Sequence, residues 1–316
     1  LIATISHNPR QKPPALRRGD TVGIVAPASN IKRELLDKGC AQLTALGYKP
    51  FYLDSILEQD LYFAGSVARR ARELEEMFTR REVRAIVCAR GGYGANYLLK
   101  ELDPAKIAGN PKIFVGYSDI TTLLTCFTDS AGFVTFHGPM VAKDFVLDDG
   151  IDLASWEAAL GSASGWVAGD TPVEGMVEGA AEGVLYGGCL SMLVASLGTP
   201  HEIRTSGTIL FIEDVNARPF QIDRMLMHLK LAGKFEDVRG LVFGEMLDCV
   251  QSRDQGYTLQ EVILRIVGGL GIPVAYGLHS GHVTRKNITL PFGVRTALNV
   301  ESGQAQLKIL EAATTP

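Results

Sequence analysis

The 316-residue sequence has only five cysteines, an odd number. Cys40, Cys88, Cys126, Cys189 and Cys249 are widely dispersed, and no C-x-x-C pair occurs. This argues against a disulfide framework and against a Cys-rich zinc site. Cys88 and Cys126 sit in apolar runs, where a free thiol packs as a small hydrophobe, and the pattern suits a reducing compartment. The sequence also lacks any uncharged apolar run near the ~18 residues that span a bilayer. Leu1–Pro14 has no apolar core of the signal-peptide kind, and the first residue is Leu rather than Met, so the natural N-terminus is expected to lie elsewhere. Charge of one sign is missing too: 31 Lys and Arg stand against 35 Asp and Glu, a net charge of -4. With the basic residues scattered, there is no stripe to hold nucleic acid. Arg69-Arg70 and Arg80-Arg81 read as solvated helix faces. Finally, there is no G-x-G-x-x-G, no Walker lysine, no G-x-S-x-G and no H-E-x-x-H, so the usual dinucleotide, nucleotide, α/β-hydrolase and zincin signatures are absent.

What is present is a chain long enough for two domains, with 46% hydrophobic residues to build their cores. The first half alternates strand and helix signals. Short β-rich runs at Thr21–Ala26, Tyr48–Leu53, Val83–Ala89 and Lys112–Val115 are separated by helical spacing at Lys32–Leu46 and Ser66–Thr79. Such alternation predicts an α/β fold with a mostly parallel sheet covered on both faces. Residues 143–182 are rich in Gly, Asp, Ala and Ser, and read as a connecting segment with a short helix near Trp156. The expected organisation is an N-terminal domain, 1–142, and a smaller α/β C-terminal domain, 183–316. In the latter, helical spacing at Cys189–Leu197, around Ile222–Leu229 and at Leu259–Val267 alternates with strand runs at Thr208–Ile212, Leu241–Gly244 and Pro273–Gly277. The tail, Ala297–Leu310, alternates as a hairpin or edge strands would.

Four short segments carry candidate chemistry. In Val115-Gly116-Tyr117-Ser118-Asp119-Ile120 a buried strand gives way to a helix at a serine. Ser118 reads either as an N-cap or as a nucleophile displayed at the carboxyl end of the sheet, where α/β ligand sites lie. Ala89-Arg90-Gly91-Gly92-Tyr93-Gly94 also joins a strand to a helix. It reads as a plain turn, an anion cradle or an oxyanion hole. Glu213 and Asp214 end an apolar strand, as a solvated turn or as acids that orient a histidine. His279-Ser280-Gly281-His282 lies in a Gly-rich loop after a strand; its H-x-x-H spacing invites a metal, but no accompanying ligand motif supports one. A serine, an acid and a histidine at three strand ends are the parts of a triad. The base takes the serine proton and the acid fixes the tautomer of the base.

These segments resemble the motifs of the LD-carboxypeptidases, also called muramoyl-tetrapeptide carboxypeptidases. The resemblance rests on ARGGYG (Ala89–Gly94), VGYSDIT (Val115–Thr121), His137-Gly138-Pro139, EDVNARPFQIDR (Glu213–Arg224), Gly281-His282 with NITLPFG (Asn287–Gly293), and the opening GDTVGIVAPA (Gly19–Ala28). It runs from about residue 17 to 305. It implies a two-domain fold and hydrolysis of an L-to-D peptide bond that releases D-alanine from murein tetrapeptide. It also implies a catalytic Ser118, Glu213 and His282, oxyanion donors at Gly91, Gly92 and the Asp119 amide, and no metal or cofactor. The partner implied is a peptidoglycan-derived peptide, not nucleic acid or membrane, and the state a cytoplasmic homodimer. His279 is the lesser candidate base. A subgroup resembles microcin C immunity proteins, which cleave an aminoacyl-nucleotide-like amide and need an aromatic to stack on the base; Trp166 is the candidate. A non-catalytic binding protein on the same fold is the third reading.

Overall fold

The computed structural model describes residues 10–169, 173–250 and 256–316. Residues 1–9 of the expected N-terminal domain, 170–172 of the expected connection and 251–255 of the expected C-terminal domain lie outside the described residues. The chain forms two sheets with helices packed around them.

The first sheet is built from β1 (Thr21–Val25), β2 (Lys49–Phe51), β3 (Val83–Cys88), β4 (Ile113–Gly116) and β5 (Thr135–His137), all parallel. Its strands are short apolar runs with little alternation because both faces are covered; Ile86, Val87, Phe114 and Val115 are fully buried. The helices α1 (Arg33–Ala45), α2 (Val67–Thr79), α3 (Pro104–Ala108) and α4 (Thr121–Cys126) lie between or after these strands. Helix α2 forms where expected. Ser66 accepts the Arg69 N–H at its start, and Leu74, Met77 and Phe78 are buried on one face.

Helix α5 (Leu153–Leu160) lies near Trp156 as expected. Residues 143–182 then contribute more than a connection: β6 (Trp166–Val167), β7 (Val173–Val177) and the start of β8 (Gly179–Cys189) join the second sheet. Glycine and alanine are poor strand formers in isolation, so pairing with neighbours, not local pattern, makes these residues strands. After helix α6 (Leu190–Ala195) the second sheet continues with β9 (Thr208–Glu213), helix α7 (Pro219–Leu231), β10 (Gly240–Gly244), helix α8 (Leu259–Val267) and β11 (Val274–Leu278). Strands β8, β9, β10 and β11 are parallel neighbours. Next come β12 (Leu290–Phe292), β13 (Arg295–Glu301) and β14 (Gln304–Ile309). The last two form the tail hairpin. Because β13 also pairs with β8, and β14 with β7, which pairs with β11, these antiparallel strands close the sheet on itself.

Strand β12 leaves this unit and adds antiparallel to β5, at the edge of the first sheet. Pro291 at its centre suits an edge position, since proline has no N–H to give to a further neighbour. Ser118 follows β4 in one sheet and Glu213 ends β9 in the other, so these two candidate residues come from different units. Further contacts tie the joint between the units: Thr121 Oγ1 of α4 accepts the Cys189 N–H at 3.0 Å.

The Arg69-Arg70 pair corrects the sequence reading, because both side chains are buried. Arg69 pairs with Glu73 at 2.5 Å. Arg70 donates through Nη1 to the carbonyls of Pro27 (2.6 Å) and Gly94 (2.7 Å). A guanidinium can be buried when backbone carbonyls accept from it. Local charge patterning cannot show this, since Pro27 and Gly94 are distant in sequence. No helix among the described residues is long and apolar enough to cross a membrane.

Candidate active site

Ser118 sits between β4 and α4, at the first position of a one-turn 3-10 segment, Ser118–Ile120. Tyr117, not Ser118, occupies the cap position. Ser118 has φ 64°, a left-handed conformation that costs a non-glycine residue energy unless the surroundings hold it. The turn leaves the serine half-buried while its neighbours Tyr117 and Asp119 are buried.

The glycine loop packs directly on this turn. A Cβ on Gly91 would lie 2.9 Å from Ser118 Cβ and 3.2 Å from its Oγ, so only glycine lets the loop approach so closely. Gly92 packs against the side chain of Ser29, whose Oγ accepts the Tyr93 N–H at 3.1 Å. Asp119 fastens the loop from the other side: its carboxylate accepts the Ala95 N–H at 2.7 Å. Burial pushes the Asp119 carboxyl up to about 6, against the lowering influence of the Ala95 N–H, Arg70 and the Gly94 N–H. Arg70, through the Gly94 carbonyl, braces the same loop. Thus Gly91 packs on Ser118, Gly92 packs on Ser29, and Asp119, next to the serine in the chain, holds the end of the loop at Ala95.

Glu213 ends β9 and is fully buried. Its Oε2 accepts two hydrogen bonds from one residue, His282 Nδ1 at 2.7 Å and the His282 backbone N–H at 3.1 Å. Burial alone would raise this carboxyl, but His282 and His137 outweigh it and bring the value down to about 2. The loop that carries the histidine is shaped to meet the acid. Gly281 has φ 93°, and a Cβ there would fall 2.7 Å from the Glu213 carboxyl carbon. Asn287 holds Gly281 on both sides, accepting its N–H at 3.0 Å and donating to its carbonyl at 3.1 Å. Across the joint, the Tyr117 ring meets the His282 ring edge-on at 5.1 Å. The residue beside the serine therefore touches the histidine.

Of the other candidates, Asp214 does not face the histidine. It accepts the Ser191 N–H at the start of α6 at 2.9 Å. The backbone carbonyl of His279 accepts the Ile288 N–H at 2.8 Å, and it is His282 that pairs with Glu213. Trp166 lies in edge strand β6, half-buried against the core. No group of three or more His, Cys, Asp or Glu among the described residues is arranged to hold a metal ion. Asn287, Arg70, Tyr117 and His137 are the contributors that reading for catalytic types did not single out. Their signal was present, because Tyr117, His137 and Asn287 lie inside the quoted motifs.

Known proteins resemble this chain over most of its length. Residues 22–138 match the LD-carboxypeptidase N-terminal domain and residues 182–298 the LD-carboxypeptidase C-terminal domain. A probable murein peptide carboxypeptidase of Bacillus subtilis is 39% identical over 301 residues, covering 94% of each chain. The Escherichia coli microcin C7 self-immunity protein MccF is 29% identical, covering 90% of this chain and 92% of its own. Among solved structures, the muramoyltetrapeptide carboxypeptidase of Oxalobacter formigenes superposes with TM-score 0.80 at 32% identity, covering 93% of this chain and all of its own. MccF bound to glutamyl sulfamoyl guanosine shares the fold, with TM-score 0.87 at 24% identity over 96% of this chain and 99% of its own. This chain belongs to the LD-carboxypeptidase family of serine-type peptidases.

Proposed function

We propose that the protein releases the C-terminal D-alanine of murein tetrapeptide, with Ser118 as nucleophile, His282 as general base and Glu213 as the acid that orients it. The observation that carries the reading is the 2.7 Å contact of His282 Nδ1 with a fully buried, ionised Glu213, beside the turn that displays Ser118. A carboxylate on Nδ1 holds the proton there and leaves the lone pair on Nε2. His282 Nε2 then takes the Ser118 proton as Oγ attacks the carbonyl carbon before D-alanine. The negative charge on the tetrahedral oxygen falls to the N–H groups of the Gly91-Gly92 loop and of Asp119, a role that the close packing of Gly91 on Ser118 supports. The imidazolium, stabilised by Glu213, returns its proton to the leaving amine. D-alanine departs, and a water deprotonated by His282 hydrolyses the acyl-enzyme.

The murein substrate class is carried over from the relatives named murein peptide and murein tetrapeptide carboxypeptidases. The alternative substrate is an aminoacyl-nucleotide-like amide, as in the MccF complexes. It requires an aromatic to stack on the base, and the half-buried edge position of Trp166 gives it no support. The test is incubation with murein tetrapeptide and assay of free D-alanine, alongside glutamyl sulfamoyl guanosine. D-alanine release is expected. Cleavage of the nucleoside conjugate with no D-alanine would replace the murein reading. The resemblance also supports a cytoplasmic homodimer, and sedimentation as a monomer at micromolar concentration would count against the dimer.

A further inference from the structure

Glu213 uses only one of its oxygens on His282. Among the described residues, its Oε1 has no hydrogen-bond partner, and neither has Nε2 of His137; both atoms are buried. They face each other at 3.8 Å. His137 ends β5, is fully buried, and belongs to the His-Gly-Pro segment to which no role has been given. Around its ring stand Glu213 and Phe211 of β9, Phe292 of β12, Ser280 and His282 of the loop after β11, and Tyr117, whose hydroxyl donates to Asp144.

The other ring nitrogen constrains the proton. His137 Nδ1 lies 3.0 Å from Ser280 Oγ, which in turn lies 2.8 Å from the Ile288 carbonyl oxygen. The single hydroxyl proton cannot serve both. If Ser280 donates to Nδ1, the neutral ring carries its proton on Nε2. If Ser280 donates to the Ile288 carbonyl, Nδ1 must donate to Ser280. A neutral ring would then aim a lone pair at the Glu213 carboxylate inside a buried site, which is strongly unfavourable. Only protonation of Nε2 as well relieves that repulsion. Of the three arrangements, the neutral ring that accepts from Ser280, at the cost of the Ser280–Ile288 bond, and the ring protonated on both nitrogens place a hydrogen on Nε2 pointing at Glu213; the third leaves two buried acceptors facing each other.

We propose that His137 is a positioning residue that presents Nε2–H to Glu213 Oε1, fixing the carboxylate so that its other oxygen stays committed to His282. At 3.8 Å the contact is longer than a direct hydrogen bond, so His137 acts as an aimed dipole that closes on the carboxylate when charge develops on His282. Burial holds the imidazole below its ordinary value, although Glu213 raises it, which favours a neutral ring. The inference rests on the triad reading.

Two measurements test it. In protein labelled with 15N-histidine, the His137 resonances should report a protonated Nε2. A neutral ring with its proton on Nδ1 would overturn the proposal whether or not the enzyme acts on murein. In kinetics, His137→Phe keeps the ring volume and removes both nitrogens, and His137→Gln keeps an N–H able to reach Glu213. His137→Phe should lower kcat by about 10- to 100-fold, the range for a lost hydrogen bond to a charge. KM should stay near the wild-type value, because a fully buried residue cannot touch substrate. The acid limb of its kcat/KM profile should move to higher pH, because an unshielded carboxylate holds the proton on the general base more tightly. His137→Gln should recover part of the rate and of the profile. Equal losses in both variants with an unmoved acid limb would show that His137 only fills space. If His137→Phe fails to fold, the Gln variant and the NMR signature decide. Wild-type protein that releases no D-alanine would refute the substrate reading, and the tautomer measurement would still stand.

Discussion

Replacing Gly91 by alanine isolates the approach of the glycine loop to the serine. Gly91 does not have a positive φ, so alanine is sterically permitted by its own backbone. What it meets is Ser118: the new methyl would lie 2.9 Å from Cβ and 3.2 Å from Oγ. Non-bonded carbon atoms settle at about 3.5–4.0 Å, so loop and serine must separate by roughly 0.5–1 Å. The loop is braced by Asp119 and by Arg70, and the serine is held at a strained turn, so neither gives way freely. A misplacement of about 1 Å in a reacting group costs on the order of 100-fold in rate. The expected outcome is a kcat for D-alanine release lowered by about 100-fold, with a shift in melting temperature of only a few degrees. Gly269→Ala is the control, since a Cβ there has nothing within 4 Å and its φ is not positive. Wild-type kcat in Gly91→Ala would refute the reasoning, because it would mean that the loop's approach to Ser118 is not used.

Further outcomes follow from the same site. Ser118→Ala should abolish turnover by roughly 10³-fold or more while changing stability by only about 0.5 kcal/mol, since Tyr117 holds the cap position; full activity would end the nucleophile assignment. Glu213→Gln should cost on the order of 10⁴-fold, because an amide can hold the wrong tautomer of the base. The double variant Ser118→Ala, His282→Ala should lose little beyond either change alone; multiplicative losses would show that the two act independently. Asp119 gives a stability prediction. Its folded value of about 6 lies above the ordinary carboxylate range, so between about pH 4 and 6 the folded state binds more protons than the unfolded state. Its contribution therefore falls as pH rises through that window, by roughly 3 kcal/mol at most. Thermal melts should show a shallower decline from pH 4 to 6 in Asp119→Asn than in the native protein; parallel curves would refute it.

The sequence by itself determined what short-range pattern can encode. Apolar spacing placed α2 and α8, and compact apolar runs placed β1 to β4 of the first sheet but not β5, because burial repeats with the period of the element. It also marked Ser118, Glu213 and His282, because these residue types stand at strand ends within recognisable motifs. Tertiary structure decided what depends on partners distant in the chain. Val173–Val177 and Gly179–Cys189 are strands because β11, β9 and β13 pair with them, although their composition reads as a linker. Leu290–Phe292 crosses to the first sheet because β5 offers it an edge. Arg70 is buried because the Pro27 and Gly94 carbonyls receive it. His137 lies 76 residues before Glu213, and only the closing of the two sheets turns its ring toward that carboxylate. Periodicity is a property of neighbours along the chain, whereas a buried polar group takes its partner from whichever strand end the fold brings beside it.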